Sequence, residues 1–454
     1  MIEPERRLSA KDYFVVSSML FALFFGAGNL IFPLHLGQLA GRHWLIAAAG
    51  FLVTGVLLPL LSVLAVAITR ADGVYEVGLP AGSFFALWFM VFVHATIGPL
   101  FGTPRTATVS YTVGIAPLLP GKYQSIGLLL FTAAFFLLTF WVAYQENSLL
   151  SRLGKILNPL FLILLLAVFI VAFMHPFGVP SHQIPASAYR LPWPSFVNGF
   201  LQGYNTMDAL GGLAFGITVV SAVRSMGQKK PSSIAKVTAR AGFFGMMAIA
   251  LIYIALILLG AMSLGTFSRS ADGGIAFSQI VNRLAGRAGQ IVLAFLITLT
   301  CLTTAVGLVA AFAQDFHRHF TKISYHQWLF IVCLLSFATA NMGLTQIISW
   351  SLPVLMFLYP LAMVLILLSV CSPLFQKDGR VYKSALLLTA ISSLLDFLAA
   401  LPAFLQKNDV VASLLKWRRL LPLASIGLSW VLPAFIGTIA GLIWHWRSRK
   451  EKLV

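Results

Sequence analysis

The chain has 454 residues, of which 59% are hydrophobic and 10% charged, and its formal net charge at pH 7 is +18. A soluble domain carries roughly 25% charged residues, so this chain has too little polar surface to cover a water-facing globule, and its hydrophobicity excludes a disordered chain. Its apolar stretches run on without alternating, which excludes an outer-membrane barrel, and its 31 Lys and Arg are scattered through short loops instead of gathered on one polar domain, which excludes a nucleic-acid binder. The remaining class is an all-α, polytopic protein of the lipid bilayer.

A membrane-crossing helix needs about 20 apolar residues. Arg6, Arg7 and Lys11 precede the first such run, which extends from Tyr13 to Phe32. No clean cleavage site follows it, so it reads as a retained first span and not as a signal peptide. In chain order the predicted spans are 13–38, 44–69, 84–113, 124–144, 153–174, 195–221, 238–264, 288–314, 326–341, 345–371, 384–405 and 421–446. The third is too long for one straight helix and contains Gly98, Pro99, Gly102 and Pro104, which predicts a kink. The loops 175–194 and 265–287 are the longest, and both are too short to build a soluble core. With the N-terminus inside, twenty of the basic residues fall in cytoplasmic segments and ten in external ones, while Arg105 lies within the third span. That asymmetry predicts a multi-pass protein of the inner membrane with both termini cytoplasmic. The external cluster Lys416, Arg418 and Arg419 runs against the trend.

No GxxxxGK[ST] phosphate loop is present, so ATP is not the expected energy source. Cys301, Cys333 and Cys371 suggest neither a disulfide framework nor a metal cluster. The chain offers no nucleophile–base pair and no zincin pattern, so it is not expected to be an enzyme or to carry a cofactor. Any function belongs inside the helical bundle and is driven by an ion gradient or a partner.

Two interruptions stand out. In the first span, Gly26-Ala27-Gly28-Asn29 is followed by Pro33 within a strongly apolar run. Glycine costs about 1 kcal/mol in a helix interior and proline about 3. Close helix packing through small residues accounts for Gly26 and Gly28 but not for Asn29 with Pro33. A break there frees backbone N–H and C=O groups at membrane depth, where a bound ion or a carboxylate satisfies them. The sixth span holds Gly203-Tyr204-Asn205-Thr206-Met207-Asp208, followed by Gly211 and Gly212. A carboxylate at that depth costs at least about 2.5 kcal/mol. Asp208 is either part of a site or the structural cap of a half-helix. Breaks in spans one and six divide spans 1–10 into two halves of five. Because five is odd, the halves enter the membrane with opposite orientation, as in an inverted-repeat secondary transporter. The predicted repeats cover about 13–175 and 195–371, with additional helices over 384–446.

Other positions are open to more than one reading. Thr300, Thr303 and Thr304 are either hydroxyls bonded to their own helix or oxygen ligands for a hard cation such as Na⁺. Arg105 pairs with an acid or faces a vestibule. Asp396, midway along span 11, suits packing as well as function. His35 and His94 read as packing or hydrogen-bonding residues before proton relays.

The runs FALFFGAGNLIFPLHLGQLAG, GPLFGTPRTATVSYTVG and GFLQGYNTMDALGGLAFG resemble the bacterial branched-chain amino acid–cation symporter family, and the resemblance extends from about residue 12 to the last span. That family is similar to the LeuT-type transporters, with five-plus-five inverted repeats and two extra helices. It imports leucine, isoleucine and valine with Na⁺ or, in some members, H⁺. The resemblance implies that the substrate carboxylate meets the backbone of Gly26, Ala27, Gly28 and Asn29. It implies that Tyr204, Asn205, Thr206, Met207 and Asp208 line the substrate from the other half. One Na⁺ would rest on Asn29 and Thr206, and a second on the carbonyls of Ala22 and Phe25 with Thr300, Thr303 and Thr304. The open alternatives are H⁺ coupling through Asp208 and an amino acid sensor that does not transport.

Overall fold

A computed structural model describes residues 8–26, 28–145 and 149–451. Helices dominate, and no strand occurs among the described residues. The first predicted span is two helices, α1 (Ala10–Phe24) and α2 (Gly28–Ala40). A capping box starts α1: the Ser9 hydroxyl accepts from Asp12 N–H, and the Asp12 carboxylate accepts from Ser9 N–H at 2.8 Å. The second span is α3 (Trp44–Leu52) and α4 (Leu58–Thr69), joined by a π-turn over Val53–Leu57. A short α5 (Val74–Gly78) leads to α6 (Ser83–Ala95) and α7 (Gly102–Ser110), which together form the third span. Between them Gly98 leaves helical geometry at φ −89°, ψ −117°, which is the kink its Gly and Pro content predicted.

Then come α8 (Gln124–Tyr144) and α9 (Leu149–Met174). The sixth span is again double, α10 (Pro192–Gln202) and α11 (Asp208–Ser225), bent by 44°. They are followed by α12 (Pro231–Ser263), α13 (Gly273–His319), α14 (Tyr325–Ala340), α15 (Leu344–Val370), α16 (Gly379–Ala400), two short helices α17 (Ala403–Gln406) and α18 (Asp409–Arg418), and α19 (Val431–Glu451).

Every predicted span coincides with one or more helices. By length and composition, seven helical stretches among the described residues can cross a membrane, and the bent α10–α11 pair adds an eighth; one stretch, Gly28–Thr69, contains both α2 and the second span. Large apolar side chains stay exposed around the bundle, among them Phe84, Leu130, Leu137, Ile163, Phe244 and Phe295. In water they would form an aggregation surface, whereas in lipid they are solvated.

Three local expectations change. The segment 265–287 is not an open loop, because α13 begins at Gly273. Asp272 caps that end, its carboxylate accepting from Gly274 N–H at 2.9 Å and Ile275 N–H at 3.0 Å. The chain then turns at Gly286, whose φ of +60° and ψ of −159° suit a residue without Cβ. The last span begins at Val431, ten residues after its predicted start at 421, because Leu423 (φ 61°) and Gly427 (φ 76°) hold the preceding chain in left-handed turns. Pro33 lies inside α2 without ending it. Lacking an N–H, it takes from the Asn29 carbonyl its helical donor.

Candidate functional site

The two breaks face one cavity of about 100 Å³, lined by Gly26, Gly28 and Asn29 from the first and by Thr206, Met207 and Asp208 from the second. Ile97, Gly102, Arg105 and Thr106 close it from the third span, and Thr304 and Leu308 from α13. A cavity of ~150 Å³ accommodates a benzene ring, so this space is on the scale of a small aliphatic group with a few polar atoms.

Helix ends shape the polar part. Phe25 leaves helical geometry at ψ 97°, and its N–H makes the last bond of α1, to the Phe21 carbonyl at 2.8 Å. The four carbonyls that follow are those a helix end leaves for other donors or for ions. On the other side of the break α2 presents its N-terminus, where the macrodipole is positive. In the second break Gly203–Thr206 form a 3₁₀ turn, and Met207 adopts a left-handed conformation at φ 59°. Such a conformation costs a non-glycine residue on the order of 1–3 kcal/mol and persists where the surroundings impose it. Gly203 permits the turn: a Cβ there would collide with Thr54 Oγ1 and with the backbone of Phe51 and Gly55.

The charged groups are buried. Asp208 Oδ2 accepts from Asn29 Nδ2 at 2.6 Å and from the Tyr253 hydroxyl at 3.2 Å, and Asn29 Nδ2 also reaches the Tyr253 oxygen. Asp208 N–H meets Thr206 Oγ1 at 3.3 Å. Arg105, 3% exposed, donates through Nη1 to the Asn205 carbonyl at 2.6 Å and through Nη2 to Ser351 Oγ at 3.1 Å. Its guanidinium lies over the Phe32 ring at 4.7 Å. The Thr303 and Thr304 hydroxyls both donate to the Thr300 carbonyl, at 2.8 and 3.1 Å, which leaves their oxygen lone pairs free, and Thr300 Oγ1 is buried with no hydrogen-bond partner among the described residues.

The expected residues separate by position. Gly26, Gly28, Asn29, Thr206, Met207, Asp208 and Thr304 line the cavity; Ala27 lies outside the described residues. Tyr204 does not line it: the ring is fully buried behind the break, stacked on Tyr359 at 4.4 Å. Asn205 presents its carbonyl to Arg105, while its side chain donates to Gln202 Oε1 at 3.0 Å. Phe25 packs against Phe21 and Phe161, and Ala22 is exposed in the last turn of α1. Thr300 and Thr303 lie behind Thr304, within hydrogen-bonding distance of one another but off the cavity wall. Tyr253 escaped the sequence pattern because one tyrosine in an apolar span carries no signal. Arg105 was visible, but not the direction it faces.

Leu23 and Phe24 from the last turn of α1, Phe215 from α11 and Leu308 from α13 complete the lining. A further set of contacts ties α2 and the start of α13 to their neighbours. Arg269 donates to the Gln38 and Ile184 carbonyls, both at 3.2 Å; Thr345 Oγ1 donates to Asp272 Oδ2 at 2.9 Å; and Gly273 abuts the Ile31 carbonyl with no room for a Cβ.

Two discontinuous helices enclosing a buried polar cavity within a lipid-facing bundle define a multi-pass membrane transporter of the LeuT type. The inward-facing conformation of Mhp1 has this fold, with a TM-score of 0.61 at 11% identity over 98% of this chain and 92% of that one. The chain belongs to the branched-chain amino acid transport protein family, whose model matches residues 9–448. It is 40% identical over 434 residues to the branched-chain amino acid permease BrnQ of Lactobacillus delbrueckii subsp. lactis, covering 95% of this chain and 96% of the relative. It is also 40% identical over 438 residues to the permease BraB of Bacillus subtilis, covering 96% of each.

Proposed function

We propose that this protein imports leucine, isoleucine and valine across the bacterial cell membrane by Na⁺ symport with alternating access, both termini being cytoplasmic. The observation that carries the reading is the cavity in which the α2 N-terminus, Asn29 and Asp208 meet. In this reading the substrate ammonium takes the carbonyls freed at the break in the sixth span and the Asp208 carboxyl. The carboxylate takes the N-terminal end of α2, where the helix dipole is positive. The aliphatic side chain packs among Leu23, Phe24, Ile97, Met207 and Phe215.

Na⁺ prefers oxygen ligands. Thr304 borders the end of α1, its Cγ2 3.8 Å from where a Cβ on Gly26 would stand, and its hydroxyl joins those of Thr300 and Thr303 as the proposed oxygen ligands. Together with the carbonyls freed at Ala22 and Phe25 they suit one Na⁺, and Asn29 with Thr206 suits another beside the substrate. Each ion raises the affinity for the amino acid, a coupling typically of about 1–3 kcal/mol, and each charge moved inward gains about 2.3 kcal/mol per 100 mV. Alternating access follows when the contacts of Arg269, Asp272 and Gly273 open as the lining near Phe24 and Leu308 closes. Spans 1, 2, 6 and 7, drawn from both repeats (about 13–175 and 195–371), rock against the rest, with 384–446 outside the repeats.

Radiolabelled leucine uptake into proteoliposomes, with and without a Na⁺ gradient at fixed pH and with a panel of competing amino acids, tests this. Accumulation that follows the gradient and is competed by isoleucine and valine supports it. A second reading is favoured by the buried Asp208–Tyr253 contact: H⁺ is the coupling ion and Asp208 its carrier. It predicts uptake indifferent to Na⁺, with Asp208→Asn abolishing accumulation but sparing exchange. Leucine binding without flux would mean a sensor.

A further inference from the structure

We infer that Arg105 is the group that recognises the substrate carboxylate, so the site selects free α-amino monocarboxylates and rejects amides and esters of the same side chain. The inference rests on the transport reading above and names its specificity-determining residue. Arg105 is a guanidinium at membrane depth, nearly fully buried, on the wall of the cavity. Among the described residues no carboxylate forms an ion pair with it. An uncompensated buried charge is among the most costly arrangements a fold can hold.

The three contacts it does make orient it without neutralising it. The Asn205 carbonyl holds Nη1, Ser351 Oγ holds Nη2, and the Phe32 face supports the plane. Nε is buried with no partner among the described residues. Nη1 stands 4.0 Å from the position a Cβ on Gly28 would occupy, so the guanidinium borders the first turn of α2. The positive helix end and the cation therefore bear on the same point, and Gly28 keeps that point open. A carboxylate there meets the positive end of α2 on one side and a planar charged fork on the other, the geometry in which arginine outperforms a point charge. Asp208 lies on the same cavity without pairing with Arg105. The cavity thus brings a guanidinium and the Asp208 carboxyl to one space, and an amino acid, with one carboxylate and one amine, is the ligand that meets both.

The test is equilibrium binding of L-leucine and L-leucinamide to purified full-length protein, at saturating Na⁺, for wild type, Arg105→Gln and Arg105→Lys. Wild type is expected to prefer leucine strongly. Removing charge-assisted bonds to a carboxylate weakens binding by roughly 10- to 150-fold. Arg105→Gln is therefore expected to lose that much leucine affinity with leucinamide binding unchanged, and Arg105→Lys, which keeps the charge but not the fork, to fall between. Should Arg105→Gln fail to fold, the lysine variant alone decides. Variants that fold and discriminate leucine from leucinamide as well as wild type does would overturn the inference. Failure of wild type to bind leucine would instead refute the transport reading itself.

Discussion

Replacing Asn29 by alanine removes a side chain that bridges the two breaks. Its Nδ2 gives Asp208 a hydrogen bond at 2.6 Å and contacts Tyr253, and all three residues are buried. A hydrogen bond to a charged group is worth about 1.5–3 kcal/mol, which is roughly 10- to 150-fold in an equilibrium constant. The variant also loses the oxygen proposed to hold Na⁺ beside the substrate. Leucine affinity and Na⁺ affinity should therefore fall together by about that factor. Radiolabelled leucine binding titrated at several Na⁺ concentrations reads both. Tyr253→Phe is the internal comparison: Asp208 loses only the longer 3.2 Å bond and keeps the one from Asn29, so the effect should be smaller. If Asn29→Ala left both affinities unchanged while remaining folded, the breaks would not form the binding site.

Other consequences follow from single contacts. Thr304→Ala should raise the Na⁺ concentration for half-maximal uptake by about tenfold, the equivalent of ~1.4 kcal/mol, with leucine affinity at saturating Na⁺ unchanged; flux against Na⁺ concentration measures it. Asp396 is fully buried and pairs with Arg418 at 2.8 Å, so Asp396→Ala strands a charge and should destabilise the protein by about 3–5 kcal/mol, seen as a lower melting temperature in detergent. Gly203→Ala forces a methyl group onto Thr54 and should cost about 1–3 kcal/mol by overpacking, with reduced uptake at wild-type expression. In the loop before α16, burial works against the charge of Asp378, but the His445 Nδ1 contact at 2.7 Å and the Arg380 N–H prevail and hold its carboxyl below the ordinary value. A depressed acid stabilises the fold above its unfolded pKa of about 3.9 and loses that contribution as pH falls through the folded value. The melting-temperature gap between wild type and Asp378→Asn should therefore be full near neutrality and close in acid below about pH 4.

The breaks were legible because glycines beside polar side chains interrupt an otherwise apolar run, and at membrane depth a continuous helix has little use for either. Gly26, Gly28 and Gly203 mark them, and Asp208 supplies the charge. Their internal geometry was not legible. Pro33 falls within the run that marks the first break, yet the chain leaves helical geometry at Phe25 and Gly26 and is helical again before Pro33. Tyr204 and Asn205 belong to the interrupted stretch, but the left-handed turn at Met207 points Tyr204 into packing and Asn205 toward Gln202. Arg105 could be seen in the third span, whereas its partners come from residues 205 and 351, far away in sequence. The unexpected charge cluster beside the last span is partly accounted for: Arg418 folds back onto Asp396, two residues that read separately as an odd acid and an odd base. The late start of α19 depends on that same folded segment, which no hydropathy pattern distinguishes from a span.

The structure of the protein solved with leucine and Na⁺ bound tests the central claim most directly. Leucine should lie between the start of α2 and residues Thr206–Asp208, its ammonium toward Asp208 and its carboxylate toward Gly28. Leucine bound elsewhere in the bundle, with Asn29 and Asp208 still bonded only to each other and to Tyr253, would contradict the account.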